Sequence, residues 1–126
     1  MLAIVPSATV LGVEGRPVTV EVHVSSGLPS FTIVGLPDTA CREARDRVRA
    51  ALLCSGLPWP MRRITVNLAP SGLRKVGSGL DLAIAVAMLI AEEEVEPAAI
   101  EGLGFLGELE EEVEPTAIEG LGFLGE

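Results

Sequence analysis

The residues of this 126-residue chain best suited to chemistry are cations, and the chemistry is the holding of anions. Arg45 and Arg49 stand one helical turn apart, Arg62 and Arg63 open an apolar run, and Arg74 and Lys75 lie in a glycine-rich loop. Cations grouped in this way bind phosphates with an affinity that falls steeply with salt. The same groups can pair with carboxylates on a neighbouring surface, or simply face water. The aromatic residues are Phe31, Trp59, Phe105 and Phe123, with no tyrosine. That is too few for the stacking platforms that grip single strands, so any nucleic-acid contact would go to phosphates.

Other chemistries fare worse. Gly102-Leu103-Gly104-Phe105-Leu106-Gly107 and Gly120-Leu121-Gly122-Phe123-Leu124-Gly125 have the spacing of a dinucleotide loop. Such a loop needs a strand before it and a helix amino terminus after it, whereas here acids and a proline precede and acids follow. The only lysine, Lys75, sits between Arg74 and Val76, which is not a phosphate-binding Walker A loop. Glu92, Glu93, Glu94 and Glu96 are too close in sequence to converge on a metal and read as a solvated exit from a helix. His23, the sole histidine, falls on the polar side of an alternating strand. Cys41 and Cys54 lie on one predicted helix, about 20 Å apart at 1.5 Å per residue, out of disulfide reach. They read as free, buried structural thiols in a reducing cytoplasm. No cofactor, metal or catalytic residue is expected within the chain.

The elements that must position these residues follow from periodicity. Residues 2–13 read as a strand, with a turn at Gly12, Glu14 and Gly15. Arg16–Ser25 alternates, Val18, Val20, Val22 and Val24 against Thr19, Glu21 and His23, as a half-buried strand does. Phe31–Val34 is a short strand broken by Gly35 and Pro37. Asp38 or Thr39 caps a helix that carries Cys41, Ala44, Val48, Ala51, Leu52 and Ser55 on one face and ends at Gly56. Its polar face predicts the pairs Asp38–Arg42, Arg42–Asp46 and Glu43–Arg47, leaving Arg45 and Arg49 unpaired. Met61–Leu68 is a further strand, and Leu82 to Glu92 a helix buried on most sides, with Asp81 favouring its positive end.

Nearly half the residues are hydrophobic, so the chain can build one proper core. Its longest apolar run, Leu82–Ala91, is about half a membrane span. The apolar amino terminus reads as a strand, not a signal peptide, and no membrane partner is expected. Charge is divided: residues 1–75 hold nine cations and five acids, net +4, while residues 76–126 hold thirteen acids and no cation. Residues 92–108 and 110–126 match at sixteen of seventeen positions, differing only at Ala98 and Thr116. Two such copies are too few and too alike for a solenoid. The second reads as a duplication artefact or a spare strand, which would either stay disordered or pair with a sheet edge of another molecule.

Several motifs occur in order: Val18–Ser25, Gly27-Leu28-Pro29, Phe31-Thr32-Ile33-Val34-Gly35-Leu36-Pro37-Asp38, Arg45-Asp46-Arg47-Val48-Arg49, Arg62-Arg63-Ile64-Thr65-Val66-Asn67-Leu68-Ala69-Pro70, Gly79-Leu80-Asp81-Leu82 and Phe105-Leu106-Gly107-Glu108. In these the chain resembles the amino-terminal domain of the magnesium-chelatase-like AAA+ ATPases of the ComM/YifB type, over residues 1–109. The resemblance implies a Lon-protease-like fold of the ribosomal S5 domain 2 type. This is an α/β (α+β) two-layer sandwich, with a mixed sheet, helices on one side, a left-handed crossover and a last strand from Phe105. It also implies a hexameric, helicase-like motor acting on DNA, whose ATP and magnesium sites lie in an ATPase module beyond this domain. The partners implied are that module, neighbouring subunits and DNA. This leaves Arg45, Arg49, Arg62, Arg63, Arg74 and Lys75 as nucleic-acid or subunit contacts. The alternatives are a Lon-like Ser–Lys peptidase and a purely structural oligomerisation module. Against the peptidase, the serine position of that family falls at Gly79, and no lysine follows the adjacent Ser78.

Overall fold

A computed structural model describes residues 2–73, 75 and 78–110. The chain order is β1 (Leu2–Leu11), β2 (Glu14–Ser25), β3 (Ser30–Val34), α1 (Asp38–Cys54), β4 (Arg63–Ala69), α2 (Asp81–Ala91) and a short 3-10 turn at Pro97–Ile100. The four strands form one mixed sheet in the order β1-β2-β4-β3. β1 and β2 make an antiparallel hairpin, β4 pairs antiparallel with β2, and β3 runs parallel to β4. A parallel pair needs a crossover, and α1 supplies it. The result is a mixed-sheet α+β architecture, as expected.

Period-two alternation decides which face of the sheet is buried. Val18, Val20, Val22 and Val24 of β2, Ile64, Val66 and Leu68 of β4, and Ala3 and Val5 of β1 all lie in the core. His23, Asn67 and Thr32 point to the open face. The β1–β2 ladder begins at Leu11↔Glu14, two residues earlier than the alternation at Arg16 suggests. Gly12 makes this possible: at φ +65° it turns the chain in the sense a two-residue hairpin needs.

α1 buries Ala44, Val48, Ala51 and Leu52, the predicted stripe. Pro37, extended at ψ 154°, precedes its first turn; Asp38 is already helical and makes no capping bond. Asp38 thus acts only through its charge at the positive helix end. At the other end Gly56 takes φ +74°. Its N–H donates to the Leu53 carbonyl at 3.0 Å, and the Leu57 N–H to the Leu52 carbonyl at 2.9 Å. This double closure satisfies carbonyls that would otherwise be orphaned. The thiols do not share the predicted burial. Both are free, but Cys54 is exposed and Cys41 only half-buried. Helical rotation explains the difference: thirteen positions do not return to the same face. Cys41 Sγ accepts the Ile33 N–H at 3.3 Å, which occupies a donor of edge strand β3.

α2, from Asp81 to Ala91, is buried at every position except Leu82, which is half-buried. The small side chains of Ala83, Ala85 and Ala87, all fully buried, let it pack closely against β1, β2 and α1. Beyond Glu92 the chain returns along the β1 edge. Here the structure departs from expectation, since Phe105–Glu108 is not a strand. The Phe105 N–H donates to the Pro6 carbonyl at 2.9 Å. The Phe105 carbonyl, however, is taken by the Ser7 hydroxyl at 2.6 Å. Proline has no N–H to continue a ladder, and the chain turns away toward α2. There the Gly107 N–H reaches the Gly79 carbonyl at 2.8 Å and the Leu82 N–H reaches the Gly107 carbonyl at 3.0 Å. Residues 97–109 therefore form a strap. The second copy of the repeat, from 111 onward, lies outside the described residues. No helix among the described residues is long and apolar enough to cross a membrane.

Candidate functional site

The cations of the sequence reading are distributed along β4 and α1. Arg62 and Arg63 stand at the start of β4, where Arg63 is paired with Ser25 on one side and Ser30 on the other. The Arg63 guanidinium lies over Gly27, so close that a Cβ there would come within 3.4 Å of its Nη2. Lys75 lies beyond the opposite end of β4, whose seven residues, Arg63–Ala69, span roughly 20 Å at the usual strand rise. Its ammonium donates to the Pro70 carbonyl. Arg74 lies outside the described residues. α1, which connects β3 to β4, carries Arg45 and Arg49 one turn apart. Arg45 is bound to its neighbour Asp46, Nη2 to Oδ1 at 3.1 Å, rather than left unpaired. Arg49 is exposed. The structure thus places Arg62 and Arg63 at one end of β4 and Lys75 beyond the other.

Near Lys75 the amino ends of α1 and α2 enclose a cleft of about 340 Å³, whose polar lining is Glu43, Arg47, Lys75, Ser78, Asp81 and Glu108. Its floor is an ion pair. Arg47 Nε donates to Asp81 Oδ2 at 2.6 Å and Nη2 to Oδ1 at 3.1 Å. The Leu109 N–H also donates to Asp81 Oδ2, at 3.2 Å. Burial pushes the Asp81 carboxyl above its ordinary value, with Arg47 and the Leu109 N–H pulling it back down. The hydrogen bond to Asp81 raises the Arg47 guanidinium further above its usual range. Both carboxylate oxygens are engaged, so Asp81 locks α1 to α2 and to the strap.

Arg47 and Asp81 were assigned other tasks by the sequence, Arg47 as a surface partner of Glu43 and Asp81 as a helix-end acid. Their true partnership spans 34 positions and has no local spacing signature. Helical phase carries a signal for each. Asp81 shares the side of α2 that holds Ile84, Ala85 and Met88, all buried. Arg47 flanks the stripe of Ala44, Val48 and Ala51. A carboxylate on a buried face requires a cation within reach.

Among the described residues no group of three or more His, Cys, Asp or Glu side chains could hold a metal ion. Residues 20–121 match the family model described as subunit ChlI of Mg-chelatase. The chain is 51% identical over 108 residues to the uncharacterized protein YifB of Salmonella typhimurium, covering 86% of this chain and 21% of that protein. It is 49% identical over 108 residues to the YifB protein of Escherichia coli, with the same coverage of 86% and 21%. It is 46% identical to the competence protein ComM of Haemophilus influenzae, again over 108 residues, 86% of this chain and 21% of that one. The chain thus spans about a fifth of the length of the curated relatives it matches.

Proposed function

Because the chain belongs to the family of the Mg-chelatase subunit ChlI, we propose that it is a non-catalytic accessory domain of a magnesium-chelatase-related AAA+ ATPase that processes DNA. The observation that carries this reading is the match over residues 20–121 in a chain only a fifth as long as its relatives. On this reading the motor, with its ATP and magnesium, occupies the part of the parent protein beyond this chain, and the parent works in the cytoplasm as a hexamer. The name of the Haemophilus relative, a competence protein, supports DNA as the substrate. The domain contributes assembly contacts or weak, sequence-independent DNA contacts through Arg49, Arg62 and Arg63, with Arg45, Arg74 and Lys75 in support. Arg45 and Lys75 already have partners within the domain, so Arg62 and Arg63 carry most of the proposed contact.

The test uses the parent protein. Arg62→Ala with Arg63→Ala forms one variant, Arg74→Ala with Lys75→Ala the other. Hexamer assembly is followed by sedimentation, and DNA binding by titration at several salt concentrations. The expected result for the first variant is an intact hexamer, weaker DNA binding and a salt slope lowered by about one per lost phosphate contact. Loss of the hexamer instead would assign the pair to a subunit contact. A variant with both properties unchanged would refute the proposal.

A further inference from the structure

The strap is held almost wholly through groups that any copy of its sequence would carry. Ile100 and Phe105 are its buried side chains. Its remaining anchors are main-chain atoms: the N–H and carbonyl of Phe105, bonded to Pro6 and Ser7, those of Gly107, bonded to Gly79 and Leu82, and the N–H of Leu109, bonded to Asp81. All but the Leu109 anchor recur eighteen residues later, where Ile118, Phe123 and Gly125 stand as Ile100, Phe105 and Gly107 do. The one position that differs between the copies, Ala98 against Thr116, is exposed in the first.

We propose that the slot between the β1 edge and the amino end of α2 is a binding surface for the sequence Ile-Glu-Gly-Leu-Gly-Phe-Leu-Gly, and that residues 118–125 of the same chain are its second occupant. Reach is ample. Phe123 lies 32 residues beyond Ala91 where Phe105 lies 14, and closing the longer loop disfavours the second copy by about threefold. Leu109, whose N–H binds Asp81, has no counterpart in residues 110–126 and tilts the slot further toward the first copy. Exchange between molecules brings no gain, because each chain has one slot and two copies. The high effective concentration within a chain therefore keeps the exchange intramolecular.

The test compares Phe105→Ala, Phe123→Ala and the double variant in the full chain by equilibrium unfolding. Phe123→Ala should leave stability unchanged. Phe105→Ala should lower the folding constant by about tenfold, because Phe123 takes over the slot. The double variant should lose at least a further tenfold, to about a hundredfold or more in all, the usual cost of truncating a buried phenylalanine. A chain ending at residue 110 with Phe105→Ala should behave as the double variant does, and if both fail to fold, a folded Phe105→Ala full chain supports the proposal. A Phe105→Ala full chain as unstable as the double variant, or one that also fails to fold, overturns it. Destabilisation by Phe123→Ala alone would also overturn it.

Discussion

Removing the Arg47 side chain should turn Asp81 from a lock into a pH-dependent liability. Asp81 is 1% exposed, and its oxygens receive two bonds from Arg47 and one from the Leu109 N–H. Arg47→Ala leaves one N–H to satisfy a buried carboxylate. Breaking a buried pair in this way costs about 3–5 kcal/mol. The Arg47 side chain is 17% exposed, so some water reaches the site, and about 3 kcal/mol is the expected loss at neutral pH. At an m value of about 1.5 kcal/mol/M this moves the urea midpoint by about 2 M. Trp59, packed against Phe31 with ring centroids 5.6 Å apart, provides the fluorescence signal. The pH dependence has a definite sign. Burial already raises the Asp81 pKa, and loss of Arg47 removes the group that lowers it. Between the unfolded value, about 3.9, and the raised folded value, the folded state holds a proton that the unfolded state has released. Stability then falls as pH rises. The variant should thus approach the parent chain at pH 4 and diverge from it by pH 7. Adding Asp81→Asn to Arg47→Ala should abolish that divergence. A loss below about 1 kcal/mol, or one equal at pH 4 and pH 7, would show that water solvates Asp81 and would refute the reasoning.

Three further outcomes are expected. Gly56→Ala should cost about 1–2 kcal/mol in equilibrium unfolding, because its strain comes from φ +74° alone and no atom lies within 4 Å of the added Cβ. Under native conditions a maleimide should label Cys54, which is exposed, well before Cys41, whose sulfur accepts the Ile33 N–H; mass spectrometry of tryptic peptides would read the order. Val48→Ala, at a fully buried position, should cost about 1–3 kcal/mol by thermal unfolding, without altering maleimide access to Cys54.

Much of the fold was legible in the sequence because its signals are local. The valines of β2 alternate, and a pleated strand with one wet face leaves no other arrangement. The stripes of α1 and the unbroken apolar run of α2 likewise announce their burial. What the sequence concealed depends on residues far apart. Nothing near Asp81 names Arg47 as its partner. Nothing near Phe105 reveals that it will meet Pro6 and Ser7, a pair that accepts one main-chain bond and then ends the ladder. The basic residues were legible as a set but not as a surface. Arg62, Arg63 and Lys75 stand at opposite ends of a strand, a separation created by the extended backbone between them.

The anchoring of α2 by residues 107–109 bears on how the domain is made. The ribosome finishes α2 at Ala91, yet the bonds from Leu82 to Gly107 and from Leu109 to Asp81 must wait for eighteen more residues. At about 5–20 residues per second, that delay is about one to four seconds. Throughout it, the nascent chain carries its most apolar helix without the strap that seals one side. Chaperones that recognise apolar helices therefore have an opportunity here, between the emergence of Ala91 and of Leu109 from the ribosome.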